Sequence, residues 1–147
     1  MFMDAYLQLS DSQAVTADAA STNTIDLGNV TPKNDVGNGE PMELVICVEV
    51  AADGTTTDET YEFQFIQSAN ANLSSPDILV ARSIGYANLT AGSVHHIAIP
   101  KGAITKRYVG AYFNVGGTTP SVTVSAYLQP VSMSEARAIY ADGFTVS

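Results

Sequence analysis

The stretch from Lys106 to Pro130, KRYVGAYFNVGGTTPSVTVSAYLQP, constrains the fold more than any other, because two alternating runs flank one loop of turn formers. Val109, Ala111, Phe113 and Val115 fall on one face of the first run, and Tyr108, Gly110, Tyr112 and Asn114 on the other. This is the two-residue side-chain period of a strand. In the second run Val122, Val124, Ala126 and Leu128 oppose Ser121, Thr123, Ser125 and Tyr127. Between them, Gly116-Gly117-Thr118-Thr119-Pro120 supplies glycines for positive φ and a proline that donates no ladder hydrogen bond. The pattern predicts a long β-hairpin, and a hairpin alone is marginal in water. The rest of the chain must cover its apolar faces.

Further strands are available for that. Runs at Gln13–Thr16, Thr24–Leu27, Met42–Val50, Tyr61–Gln67, Ile78–Ile84 and Val94–Ile99 bring the expected total to eight. Turn formers such as Asn38-Gly39, Asp53-Gly54 and Pro100-Lys101-Gly102 separate them. Met42–Val50 is the most apolar and fits a central strand, with Met42, Leu44, Ile46, Val48 and Val50 on one face. Asp53-Gly54 and the threonines after it predict a second hairpin into Tyr61–Gln67. In the run Ile78–Ile84, Ile78, Val80 and Ile84 share a face with Arg82. No helical period of useful length precedes Pro130. Beyond it, Ser132 and Glu135 have the form of a capping box, and Asp142-Gly143 would end any helix there. A short C-terminal helix or arm is expected, whose Phe144 and Val146 could tuck onto the body or onto a neighbouring subunit. The expected fold is all-β, an eight-stranded antiparallel jelly-roll-like β-sandwich, with residues 1–147 as one domain.

Charge narrows the partners. The chain has fifteen acidic and six basic residues, a formal net charge of −9, which repels phosphate backbones and anionic membranes. Neither nucleic acid nor a membrane is an expected partner, and no segment approaches the roughly 18 apolar residues of a membrane span. The start, MFMDAYLQLS, lacks the basic-then-apolar layout of a secretory signal, so synthesis in a cytoplasm is expected. Cys47, the single cysteine, lies inside MELVICVEV and is predicted to be a small buried hydrophobe rather than a reactive thiol.

Chemistry is sparse. His95 and His96 are adjacent, so on a strand they point to opposite faces and cannot ligate one metal together. The expectation is that one of them, His95 beside Ile97 and Ile99 or else His96, is partly buried and hydrogen-bonded while the other is exposed. No Gly-x-Ser-x-Gly elbow and no Asp-x-Asp-x-Asp-Gly calcium loop occurs. The paired carboxylates, Asp58-Glu59 and Glu43 with Glu49, fall in a loop or at strand ends, and there is no tryptophan to line a sugar cleft. No catalytic residue, metal or cofactor is therefore expected. Lys101, Lys106 and Arg107 place half of the basic residues in one short loop and strand start. They could meet an acidic partner, and the plainer reading is a solvated turn. Tyr108, Tyr112 and Tyr127 lie on the mixed faces of their runs, where packing or an assembly contact is the simpler reading; the rival one is a carbohydrate platform made of these three with Tyr61 and Tyr86.

Two stretches carry a family likeness. LQLSDSQAVTADAASTNTIDLG and RYVGAYFNVGGTTPSVTVSAYLQP, with the closing YADGFTV, resemble the corresponding parts of capsid cement (decoration) proteins of tailed bacteriophages. The resemblance covers both ends and the C-terminal third, and between Thr31 and Thr105 it is one of style only. It implies a jelly-roll sandwich on the outer surface of the virion shell, made in the host bacterial cytoplasm, with the major capsid protein as partner. It also implies self-association, a homodimer before a trimer, and brings no catalytic residues. A carbohydrate-binding sandwich of the adhesin kind is the alternative from another class, and an enzyme the third.

Overall fold

Alternation has its expected result in a computed structural model, which describes residues 7–28 and 41–131. Nine strands follow in chain order among the described residues. They are β1 (Gln8–Val15), β2 (Ala19–Ala20), β3 (Ile25–Asp26), β4 (Met42–Val50), β5 (Thr60–Ser68), β6 (Asp77–Ser83), β7 (Val94–Ala98), β8 (Tyr108–Gly116) and β9 (Val122–Pro130). The front sheet has the order β1-β9-β4-β7 and the back sheet β2-β8-β5-β6, with β3 also pairing β8. All pairings are antiparallel. The result is a β-sandwich with a strand order compatible with a jelly roll. Expectation and structure differ by one strand, because Ala19–Ala20 forms its own short pairing with β8, and β1 begins at Gln8 rather than Gln13. The expected C-terminal helix or arm lies outside the described residues.

The connection between β8 and β9 overturns the hairpin. β8 pairs β5 and β9 pairs β4 and β1, so the loop at Gly116–Pro120 arches from the back sheet to the front. The same holds for β4 and β5, expected as a second hairpin and found in opposite sheets. The physical reason is that alternation states which side chains face inward. It does not state whether two consecutive strands lie side by side or face to face. Both arches are fastened at one end of the molecule. The Tyr61 hydroxyl donates to the Asp53 carbonyl at 2.7 Å and accepts from the Ser121 amide at 3.0 Å. Gly117 has φ +101°, and a Cβ there would stand 2.6 Å from the Asp58 carbonyl oxygen and from Glu59 Cα. Only a glycine lets these two loops touch.

The inward faces form the core. Leu44, Ile46 and Val48 of β4 and Val122, Val124 and Leu128 of β9 meet Phe63 and Phe65 of β5 and Val109 and Phe113 of β8, all buried. Phe63 and Phe113 are register partners whose rings meet edge to face at 5.9 Å. Each such side chain contributes about 1.5–3 kcal/mol through removal from water.

Candidate functional site

The outward face of the back sheet is built by register. Gly110, Ile66 and Ile78 stand in one cross-strand row, Asp26, Tyr108 and Ser68 in the next towards one end, and Ala20, Tyr112 and Gln64 in the next towards the other. Gly110 is where the chain folds over this face. Leu73, in the loop between β5 and β6, adopts φ +59° and lays its side chain there, so that a Cβ on residue 110 would meet Leu73 Cδ1 at 2.5 Å. Leu73 and Ile66 are buried, Ile78 is 57% exposed, and Tyr108 and Tyr112 are half-buried on either side. Ile78, by alternation, shares a face with Val80 and Arg82. A register shift between Phe65 and Ile66 turns it outward, and nothing in the local alternation announces such a bulge.

Charges rim this face. The Arg107 guanidinium donates from Nε at 2.7 Å and from Nη2 at 2.9 Å to the two carboxylate oxygens of Asp26, and lies 5.0 Å from the Tyr108 ring centre. Helped by the Gly28 amide, it holds the Asp26 carboxyl down to about 2. Lys106 pairs with Asp77 at 2.8 Å and likewise lowers that carboxyl. Buried Gln67 sets the strand start, its Oε1 accepting from the Thr105 amide at 2.8 Å and the Lys106 amide at 3.1 Å. Lys101 stands apart, exposed in the turn after β7. Of the three basic residues grouped by sequence, two are thus engaged within the chain, which favours the plain structural reading for them.

Tyr127 belongs elsewhere. It lies in β9 on the outward side of the front sheet, opposite Val45, and both are 0% exposed. Its hydroxyl engages the Cys47 thiol. A buried ring offers no surface, so Tyr127 is removed from the candidate contacts, and the three tyrosines divide between two opposite sides of the molecule. Cys47 corrects the other way: it is half-buried, and desolvation raises its thiol pKa, with the Tyr127 hydroxyl acting against that.

The remaining polar groups on the front sheet are tied to one another. Glu43, 5% exposed, accepts at Oε1 from Gln129 at 2.6 Å and meets His96 Nδ1 at 2.9 Å. Ser12, at φ +49° in a bulge of β1, and Ser125 both donate to the Glu49 carboxylate, at 2.5 and 2.6 Å. His95 faces inward beside Asn88 and Ser93, and burial lowers its pKa. His95 is the partly buried histidine and His96 the exposed one. Among the described residues, no three His, Cys, Asp or Glu side chains converge to hold a metal ion, and no helix is long and apolar enough to cross a membrane.

Residues 9–128 match the model of the Bbp16 family. The chain belongs to the Bbp16 family. Among curated proteins none matches it. The Bbp16 match runs from β1 into β9 and so takes in both outward faces, Lys101, the Arg107–Asp26 and Lys106–Asp77 pairs, and the Leu73 cover over Gly110.

Proposed function

We propose that this Bbp16 chain is a non-enzymatic structural protein that binds the outer surface of an assembled phage capsid and stabilises contacts between capsomers. It is synthesised in the bacterial cytoplasm and resides on the virion exterior. Its partners are the major capsid protein and further copies of itself, a homodimer before a trimer. The observation that carries this reading is the outward face of the back sheet. Half-buried Tyr108 and Tyr112 and exposed Ile78 surround a covered centre, and the charges at its margin are already neutralised by Asp26 and Asp77. An aromatic and apolar middle with a satisfied polar rim is how protein contacts are built. Against the carbohydrate alternative, Leu73 occupies the gap between the tyrosines where a sugar ring would have to stack.

The test is to mix the purified protein with expanded shells that lack it, sediment them, and heat the product. Co-sedimentation and protection of the shells against heat are expected, with both reduced about tenfold or more in affinity for Tyr112→Ala combined with Ile78→Ser. No co-sedimentation of the wild-type chain sinks the proposal.

A further inference from the structure

The loop between β4 and β5, residues 51–59, holds Asp53, Asp58 and Glu59 and neither lysine nor arginine. Among the described residues none of these carboxylates has a salt-bridge partner. Asp53 and Asp58 are exposed to hydroxyl and amide donors. Thr55 and Thr119 serve Asp53, and Thr56 and Thr118 serve Asp58, and these bonds lower both carboxyl pKa values.

Glu59 is different. It is 5% exposed, and it turns its carboxylate back into the loop, with Oε1 against the Thr56 hydroxyl and amide. Its Oε2 is buried without a hydrogen-bond partner, the one such side-chain atom among the described residues. The Thr56 hydroxyl also lies 2.6 Å from Asp58 Oδ1. A hydroxyl has a single proton and can donate to only one of these two carboxylates. The nest is therefore short of positive charge at two places, the shared hydroxyl and the orphaned oxygen, and burying an uncompensated carboxylate is costly.

We propose that this turn binds a hard divalent cation, with Glu59 and Asp58 as charged ligands and the Thr56 hydroxyl as a neutral one. The donors are all oxygen, which selects the Ca²⁺ and Mg²⁺ class over thiolate- or imidazole-seeking metals. Ca²⁺ tolerates irregular oxygen sets and completes them with carbonyls and water. With two carboxylates, affinity falls in the range of weak sites, about 10⁻⁴–10⁻³ M. The ion would also offset repulsion among the acids of this loop, next to the Tyr61 fastening of both arches.

Terbium(III) is the first probe, with Tyr61, whose hydroxyl is bonded to the Asp53 carbonyl of the same loop at 2.7 Å, as the sensitiser of its emission. The full chain is expected to show tyrosine-excited emission that Ca²⁺ displaces, and a higher Tm in CaCl₂ than in NaCl of equal ionic strength. Glu59→Gln should weaken binding about tenfold or more, given how ligand charge sets affinity. Asp11→Asn, which neutralises an exposed acid on β1, should leave binding unchanged. No emission, or a Tm in CaCl₂ equal to that in NaCl, overturns the site. Unchanged binding by Glu59→Gln does the same. If Glu59→Gln does not fold, Asp58→Asn replaces it, and binding equal to wild type again overturns the site.

Discussion

Tyr112 of β8 and Tyr127 of β9 occupy equivalent positions, each at an alternating site that points away from the sandwich interior, yet one is half-buried and the other has no exposed surface. Around Tyr112 the register places Ala20 and Gln64. Around Tyr127 it places Val45, itself 0% exposed, and Gln8. The outward side of the front sheet therefore behaves as a second packed layer, with Ser125, Gln129 and Glu43 also buried and hydrogen-bonded there. The back sheet is covered along β5, where outward Gln64, Ile66 and Ser68 are buried, but it leaves Tyr108 and Tyr112 half-exposed. One side stabilises the fold and the other is suited to a partner.

That contrast is broken most directly by truncating both rings. Tyr127→Ala should cost about 3–5 kcal/mol, the usual loss for a buried aromatic side chain. Tyr112→Ala should cost no more than about 1 kcal/mol. Equilibrium urea unfolding measures both, and equal losses would mean that the two faces are not energetically distinct.

A smaller effect sharpens the description of the covered centre. Gly110→Ala places a methyl where Leu73 Cδ1 now lies, and should cost about 1–3 kcal/mol through overpacking. Leu73→Ala in the same chain opens that space, so the double variant should be more stable than the sum of the two single losses predicts. Strict additivity would show that Leu73 does not rest on Gly110 in solution.

Much of this arrangement was legible in the sequence, and the part that was not has a common cause. The inward positions of β4, β5, β8 and β9 follow from side-chain alternation alone, as Phe63, Phe113 and Val124 illustrate. Pairing partners do not, since a Gly- and Pro-rich loop suits an arch between sheets as well as a hairpin within one. Ile78 parts from the face it shares with Val80 by alternation because a one-residue bulge reverses every side chain beyond it. Tyr127 lies on the face that alternation predicts, but which branch of its reading holds, packing rather than a contact, depends on what lies over it, which local pattern does not encode. The cluster of Lys106 and Arg107 was visible, but their partners Asp77 and Asp26 are distant in sequence. Gly110 could have been a signal, since a glycine in the middle of a strand often marks a close approach.

The ion pairs at the margin of the back sheet should give the smallest effect, and Asp26 gives it a sign. Its carboxyl is held at about 2 in the folded chain against an ordinary value of 3.8, chiefly by the Arg107 side chain. A carboxyl with a depressed folded pKa stabilises the fold fully above its unfolded pKa and loses that contribution as pH falls through the folded value. The window is therefore from about pH 4 down to about pH 2. Because Asp26 and Arg107 are both substantially exposed, the contribution is screened by salt and modest. Thermal unfolding of wild type and Asp26→Asn between those pH values should show the wild type ahead near pH 4, the two curves converging near pH 2, and the gap shrinking in high salt. Curves that stay parallel throughout would mean that Arg107 does not hold β3 against β8, and that the margin beside Tyr108 is fastened by the backbone pairing of Ile25 with Val109 alone.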